Sequence, residues 1–241
     1  METRIIIPNN GGKLVGILHK KSAETLFIVC HGYGGSKDDA ALTGISRGLA
    51  KRGLSAFRFD FSGTGESSGR AGVIIEKQTD DLLNVINCFR SYPEIVLVGG
   101  SLGALPVILA SLTTTRISAI ITFNGFFGKR PPSGQYRKIY FWIRLLTVIN
   151  PHLRRAYRKF TDEFRPEKIA VPVLVICSKS DATVDYRQSV DFYNKLTTKN
   201  KKLAVLPLAS HGLSQKGDTG KVVTEICAWN FIRAGKPDRR L

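Results

Sequence analysis

A chain of 241 residues with near-average aliphatic, aromatic and charged content can bury a full core, which excludes disordered and fibrous classes. Its 36 Lys and Arg against 19 Asp and Glu leave a formal charge of +17, which bears on anionic partners rather than on fold; a solvated basic surface accounts for it more simply than a nucleic-acid site. With no run of about 18 apolar residues to span a bilayer and too short an apolar run in METRIIIPNNGG for a signal peptide, a soluble, cytoplasmic protein is expected.

Residues 4–8 and 14–19 flank Asn9, Asn10, Gly11 and Gly12, a turn composition that predicts a hairpin. Apolar runs of the buried-strand type follow at 26–30, 55–60, 95–99, 117–123, 173–177 and 202–206. Helical spacing fills the intervals at 40–51, 75–90, 102–111, 184–196 and 222–232. Strands alternating with helices imply an α/β protein, its mostly parallel sheet covered on both faces. Cys30, Cys88, Cys177 and Cys227 lack metal-binding spacing and read as reduced structural thiols. Between residues 125 and 168 no strand is predicted; helices are expected at 135–149 and 152–160, the second opened by Asn150-Pro151. The chain is thus read as one domain, 1–241, with 125–168 inserted as a small helical lid.

The sharpest motif is Gly99-Gly100-Ser101-Leu102-Gly103, lying between a buried-type strand and a helix. Gly and Ser are common loop residues, so the motif is informative because of that context. It predicts a strained strand-to-helix turn that lifts the Ser101 hydroxyl clear, with no room for side chains at 99 and 103. A second strand ends in His31-Gly32-Tyr33-Gly34-Gly35. The backbone N–H of Tyr33 can face that of Leu102 across a developing oxyanion.

A serine hydroxyl needs an imidazole base, itself oriented by a carboxylate. Of four histidines, His19 lies in an opening strand, His152 in the lid, and His31 is placed to hold the glycine turn. His211, in the loop after the last strand, is the candidate base. Asp181, just past the strand at 173–177, is the candidate acid; Asp185 is the alternative, although it is better placed to start the next helix. These residues imply no metal or organic cofactor.

The chain resembles the α/β-hydrolase superfamily, and within it small cinnamoyl/feruloyl-esterase-like enzymes and serine aminopeptidase-like lipases. The resemblance rests on His31-Gly32-Tyr33-Gly34-Gly35-Ser36-Lys37, on Arg58 to Ser67 (RFDFSGTGES), and on Gly99 to Gly103. It implies the α/β-hydrolase fold, a Ser101–His211–Asp181 triad, and Tyr33 and Leu102 as oxyanion donors. The loop from Asp60 to Ser67 matches the D-x-x-G-x-G-x-S turn, a supporting rather than catalytic element; without the Lys-Ser/Thr of a P-loop it is not a nucleotide cradle.

Residues 125–168 carry 11 Lys and Arg against three acidic residues, interleaved with aromatics. Phe126, Tyr140 and Trp142 are the candidate pocket residues, and the cations suggest an anionic substrate or membrane surface. The expected reaction is hydrolysis of a small or medium acyl or aromatic ester. A thioesterase, lysophospholipase, peptidase or acyltransferase would use the same residues, and a non-catalytic sensor could keep the fold. Oligomeric state is not legible.

Overall fold

The computed structural model describes residues 2–70, 75–127 and 164–229, together with Arg137 and Phe141. Apart from those two residues, the helices expected at 135–149 and 152–160 lie outside the described residues, as do the pocket candidates Tyr140 and Trp142 and the end of the helix expected at 222–232.

The eight strands are β1 (Glu2–Asn9), β2 (Gly12–His19), β3 (Thr25–Cys30), β4 (Ser55–Phe59), β5 (Glu94–Gly100), β6 (Ala119–Phe123), β7 (Val173–Ser178) and β8 (Lys201–Leu206). They form one sheet in the order β1-β2-β4-β3-β5-β6-β7-β8. β1 and β2 form the expected hairpin, closed by Asn10 and Gly11 at φ 41° and 78°. Positive φ at both central positions is what a two-residue turn between twisted strands requires. From β4 onward every pairing is parallel. This is the α/β-hydrolase fold.

The described helices are α1 (Ala40–Lys51), α2 (Ile75–Cys88), α3 (Ala104–Thr113), α4 (Arg187–Lys195) and α5 (Asp218–Ala228). Side chains alternate across the strands and so build two cores. Leu26, Ile28, Ile95 and Leu97 point to one face and pack with Leu82, Val85 and Ile108 of α2 and α3. Phe27, Val29, Val96 and Val98 point to the other and meet Leu42, Ile45, Val222 and Ile226 of α1 and α5. Full burial on both faces is why these strands read as unbroken apolar runs, each large side chain contributing about 1.5–3 kcal/mol. Among the described residues no helix is long and apolar enough to cross a membrane.

Three helix starts differ from the sequence expectation. α3 begins at Ala104 rather than 102, after the 3₁₀ turn Ser101–Gly103. α4 begins at Arg187 rather than 184; Thr183 and Val184 lie instead in the loop after β7, where their N–H groups donate to Asp181 Oδ1. α5 begins at Asp218 rather than 222, following Gly217 at φ 90°. All four cysteines are free. Burial pushes the Cys30 thiol up, and burial with the nearby Asp181 charge raises Cys177 to about 11. Both are held as inert thiols; Cys88 and Cys227, by contrast, are exposed.

Candidate active site

Ser101 follows β5 at φ 51°, in the left-handed region that a side chain rarely enters. Such a conformation costs about 1–3 kcal/mol and persists only where the surroundings enforce it. They do so here by close approach. A Cβ at Gly99 would lie 2.5 Å from the carbonyl oxygen of Gly103, and one at Gly103 would strike the carbonyl oxygens of His31 and Cys30. These two glycines therefore let the turn fold back on β5 and press against the end of β3.

His211 and Asp181 meet Ser101 from the ends of β8 and β7. The imidazole Nδ1–H donates to Asp181 Oδ2 at 2.7 Å, and the Ser101 hydroxyl donates to Nε2 at 3.0 Å. The Asp181 side chain is almost fully buried, while His211 keeps about a fifth of its side chain exposed (19%). The second oxygen of Asp181 accepts the N–H groups of Thr183 and Val184, both at 2.8 Å, so the carboxylate is fixed in orientation. Asp185 stands apart from this relay; its carboxylate accepts the N–H and guanidinium of Arg187 at the approach to α4.

The glycine turn after β3 lies against the serine. A Cβ at Gly32 would fall 2.9 Å from that of Ser101. Cys30 pairs with Gly99 in parallel register, so Tyr33 and Leu102 each stand three residues beyond paired positions on adjoining strands. The Leu102 N–H belongs to the first turn (Ser101–Gly103) of the helical run, where no intrahelical acceptor exists. Tyr33 is exposed. Phe126 is half-buried, and its backbone N–H donates to the Ser101 carbonyl at 3.0 Å.

His31 holds the turn, as its place in the sequence suggested. Its buried ring donates from Nδ1 to the Gly32 carbonyl at 2.9 Å, while Nε2 accepts the Phe61 N–H at 3.2 Å. Nε2 also contacts Thr64 Oγ1 at 3.1 Å. Burial pulls its pKa below the usual imidazole range despite the Gly32 carbonyl, which favours the neutral ring this bonding needs.

A second brace is formed by Lys37 and Asp60. The buried ammonium donates to Asp60 at 3.0 Å, Asp38 at 2.9 Å, and is paired with Glu66 at 2.8 Å. Asp60, wholly buried, also accepts the N–H groups of Lys37 at 2.7 Å and Glu66 at 2.9 Å. Burial works against the Lys37 charge, but the three carboxylates outweigh it and hold the ammonium above its ordinary range. The loop Asp60–Ser67 is thus a strut between β4 and the glycine turn.

Three residues around His211 were not singled out from the sequence. Asn124, at φ 45° after β6, donates from Nδ2 to the carbonyls of Ser210 and His211. Asp218 accepts the N–H and hydroxyl of Ser210, both at 2.9 Å. Ser178 Oγ accepts the Ala209 N–H at 3.0 Å. The acid at position 218 carried a signal, since it opens a helix a few residues past His211; the other two carried none.

The family model described as serine aminopeptidase, S33 matches residues 21–166, more than half of the chain. That span includes Tyr33, Ser101 and Leu102; Asp181 and His211 lie beyond it. An uncharacterized 31.7 kDa protein of the traX-finO intergenic region in Escherichia coli is 32% identical over 108 residues, 42% of this chain. The match spans 37% of that relative's length. In fold, the chain is similar to alpha/beta hydrolase domain-containing protein 10 from mouse (TM-score 0.74, 16% identity, covering 93% of this chain and 97% of that one). It is similar also to Est1E from Butyrivibrio proteoclasticus with ferulic acid bound (0.70, 21%, 92% and 99%). A third likeness is the Pyrococcus furiosus esterase Pf2001 (0.71, 19%, 95% and 93%). Matched across its elbow and glycine turn, this chain belongs to the serine aminopeptidase S33 family of α/β-hydrolases.

Proposed function

We propose that the protein is a carboxylic ester hydrolase acting through an acyl-enzyme on Ser101. The observation that carries this reading is the continuous relay Asp181–His211–Ser101, with contacts of 2.7 and 3.0 Å. His211 Nε2 takes the hydroxyl proton as Ser101 Oγ attacks the ester carbonyl. The N–H groups of Tyr33 and Leu102 receive the charge that forms on the carbonyl oxygen, each worth about 3–4 kcal/mol of barrier. Collapse expels the alcohol, which leaves with the proton from His211, and the acyl group stays on Ser101. Water then attacks, His211 taking its proton, and the acid departs as Ser101 recovers its hydrogen. Asp181 accepts from Nδ1–H throughout, setting the tautomer of the neutral ring and stabilising the imidazolium that forms between the two proton transfers.

We assign a small or medium acyl or aromatic ester as the substrate. Structural neighbours named as esterases support this, and so does the ferulic acid held by one of them. Residues 125–168 are proposed as a lid over the site. Near their start the Phe126 N–H bonds the Ser101 carbonyl, and near their end Phe164 packs close to Phe127 and Phe192 at 6.3 and 6.2 Å. The aminopeptidase of the family's description favours peptidase action as the second reading.

A panel of p-nitrophenyl esters from acetyl to long chain, hydroxycinnamoyl esters, acyl thioesters and aminoacyl anilides, run on wild type and Ser101→Ala, separates these. Short-chain or aromatic esters are expected to turn over fastest, and only in wild type. Preference for the anilides would replace the esterase reading with the peptidase one, and preference for thioesters with a thioesterase.

A further inference from the structure

We propose that Asn124 is a positioning residue for the His211 base, a role that rests on the esterase reading above. Asn124 leaves β6, the strand between β5, which delivers Ser101, and β7, which delivers Asp181. Phe123 pairs with Gly100 on one side and Ile176 on the other, so Asn124 stands beside Ser101 at the sheet's carboxyl edge. Its backbone is tied to β7 through N–H donation to the Ile176 carbonyl at 2.9 Å. Its side chain, in a residue only 4% exposed, then crosses to the loop after β8.

What that side chain holds is specific. Nδ2 donates to the Ser210 carbonyl at 3.2 Å and to the His211 carbonyl at 3.0 Å. Both acceptors are carbonyls, so the amide nitrogen must face them. The first carbonyl belongs to the peptide plane before the His211 Cα and the second to the plane after it. Two bonds from one rigid amide therefore fix both planes, and with them the direction of the His211 Cα–Cβ bond. Asp181 orients the ring and Asn124 orients the stem that carries it. Two residues further on, the Phe126 N–H donates to the Ser101 carbonyl at 3.0 Å. One short run of chain is therefore bonded to the backbones of both the base and the nucleophile.

The residue type fits both demands. φ of 45° is tolerated by Asn far better than by most side chains, and its short amide offers two N–H donors diverging from one nitrogen, one for each carbonyl. Asn124→Gly keeps the backbone conformation accessible while deleting both bonds. Asn124→Asp keeps size and shape but presents acceptor oxygens to two carbonyls.

The test is a double-mutant cycle on the best ester of the panel, with Asn124→Gly, Asn124→Asp, His211→Ala and the combined variants, each checked for thermal unfolding. Both Asn124 variants are expected to lower kcat roughly 10- to 100-fold, as displacement of a catalytic group by about an ångström does, with KM within about threefold. In the His211→Ala background the same changes should cost nothing further, because the group they position is gone. The downfield proton resonance of the His211 Nδ1–H should shift or broaden in Asn124→Gly. A kcat within twofold of wild type, or an equal loss with and without His211, overturns the role of Asn124 while leaving the triad standing. Equal rates for wild type and His211→Ala overturn the triad and the positioning role together.

Discussion

Replacing Asp181 with asparagine is expected to lower kcat by about 10⁴-fold with little change in stability. The amide fits the same space, and its oxygen can keep the Thr183 and Val184 N–H groups that now bond Oδ1 at 2.8 Å. Its NH₂ must then face His211 Nδ1, where the carboxylate now accepts at 2.7 Å. Two donors cannot share that contact, so the ring turns to the Nε2–H tautomer. Nε2 then donates toward Ser101 Oγ instead of accepting its proton. Steady-state kinetics with matched unfolding curves check this; a loss below about tenfold would mean Asp181 is not the group that sets the tautomer. Asp185→Asn, at the approach to α4, is expected to leave kcat near wild type.

Lys37→Met is expected to destabilise the fold by about 3–5 kcal/mol, the cost of leaving a buried charge without its partner. Lys37 and Asp60 have side chains 3% and 0% exposed, and their 3.0 Å contact is the only ammonium bond that the described residues give Asp60. Without it the carboxylate keeps two backbone N–H groups but, among the described residues, no bonded ammonium. Gly65 packs against that carboxylate at φ 49°, leaving no room there for a side chain. Pairing Lys37→Met with Asp60→Asn should recover part of the loss, since the orphaned charge is then removed too. Urea unfolding with an unchanged slope reads the difference. A single-variant loss under about 1 kcal/mol would show that the strut is held by its backbone bonds alone.

The parts of the molecule legible in the sequence are those where local pattern and long-range demand agree. β3 and β5 are buried on both faces, so unbroken apolar runs betray them, and Asn10-Gly11 closes its hairpin with the φ values those residue types favour. Ser101, Asp181 and His211, the residues expected to act together, meet in the structure although the first and last are 110 positions apart. Each follows a strand, and the chemistry admits few residue types. Local pattern was overridden where the chain leaves a strand into the site: helical spacing runs back to 184, yet residues 182–184 are bends in the loop after β7 and the helix begins at Arg187.

Asn124 and Lys37 show the other limit. Phe-Asn-Gly after a strand reads as an ordinary turn, and the bonds that give Asn124 its importance reach 86 and 87 residues ahead. No periodicity reports such a contact. Lysine is almost never buried unless paired, and the partner that permits it at position 37 stands 23 residues away. The stretches that carry the family resemblance include both Lys37 and Asp60, but their mutual burial emerges only when β3 and β4 lie side by side.

The central claim is that Ser101 is the nucleophile, activated by His211. Its most direct test is intact-protein and peptide mass spectrometry after brief exposure to a fluorophosphonate, which phosphonylates an activated serine with loss of fluoride. A single adduct on the peptide containing Ser101 is expected in wild type, none in Ser101→Ala, and far slower labelling in His211→Ala. An adduct on a different residue, or equal labelling of wild type and Ser101→Ala, would contradict it.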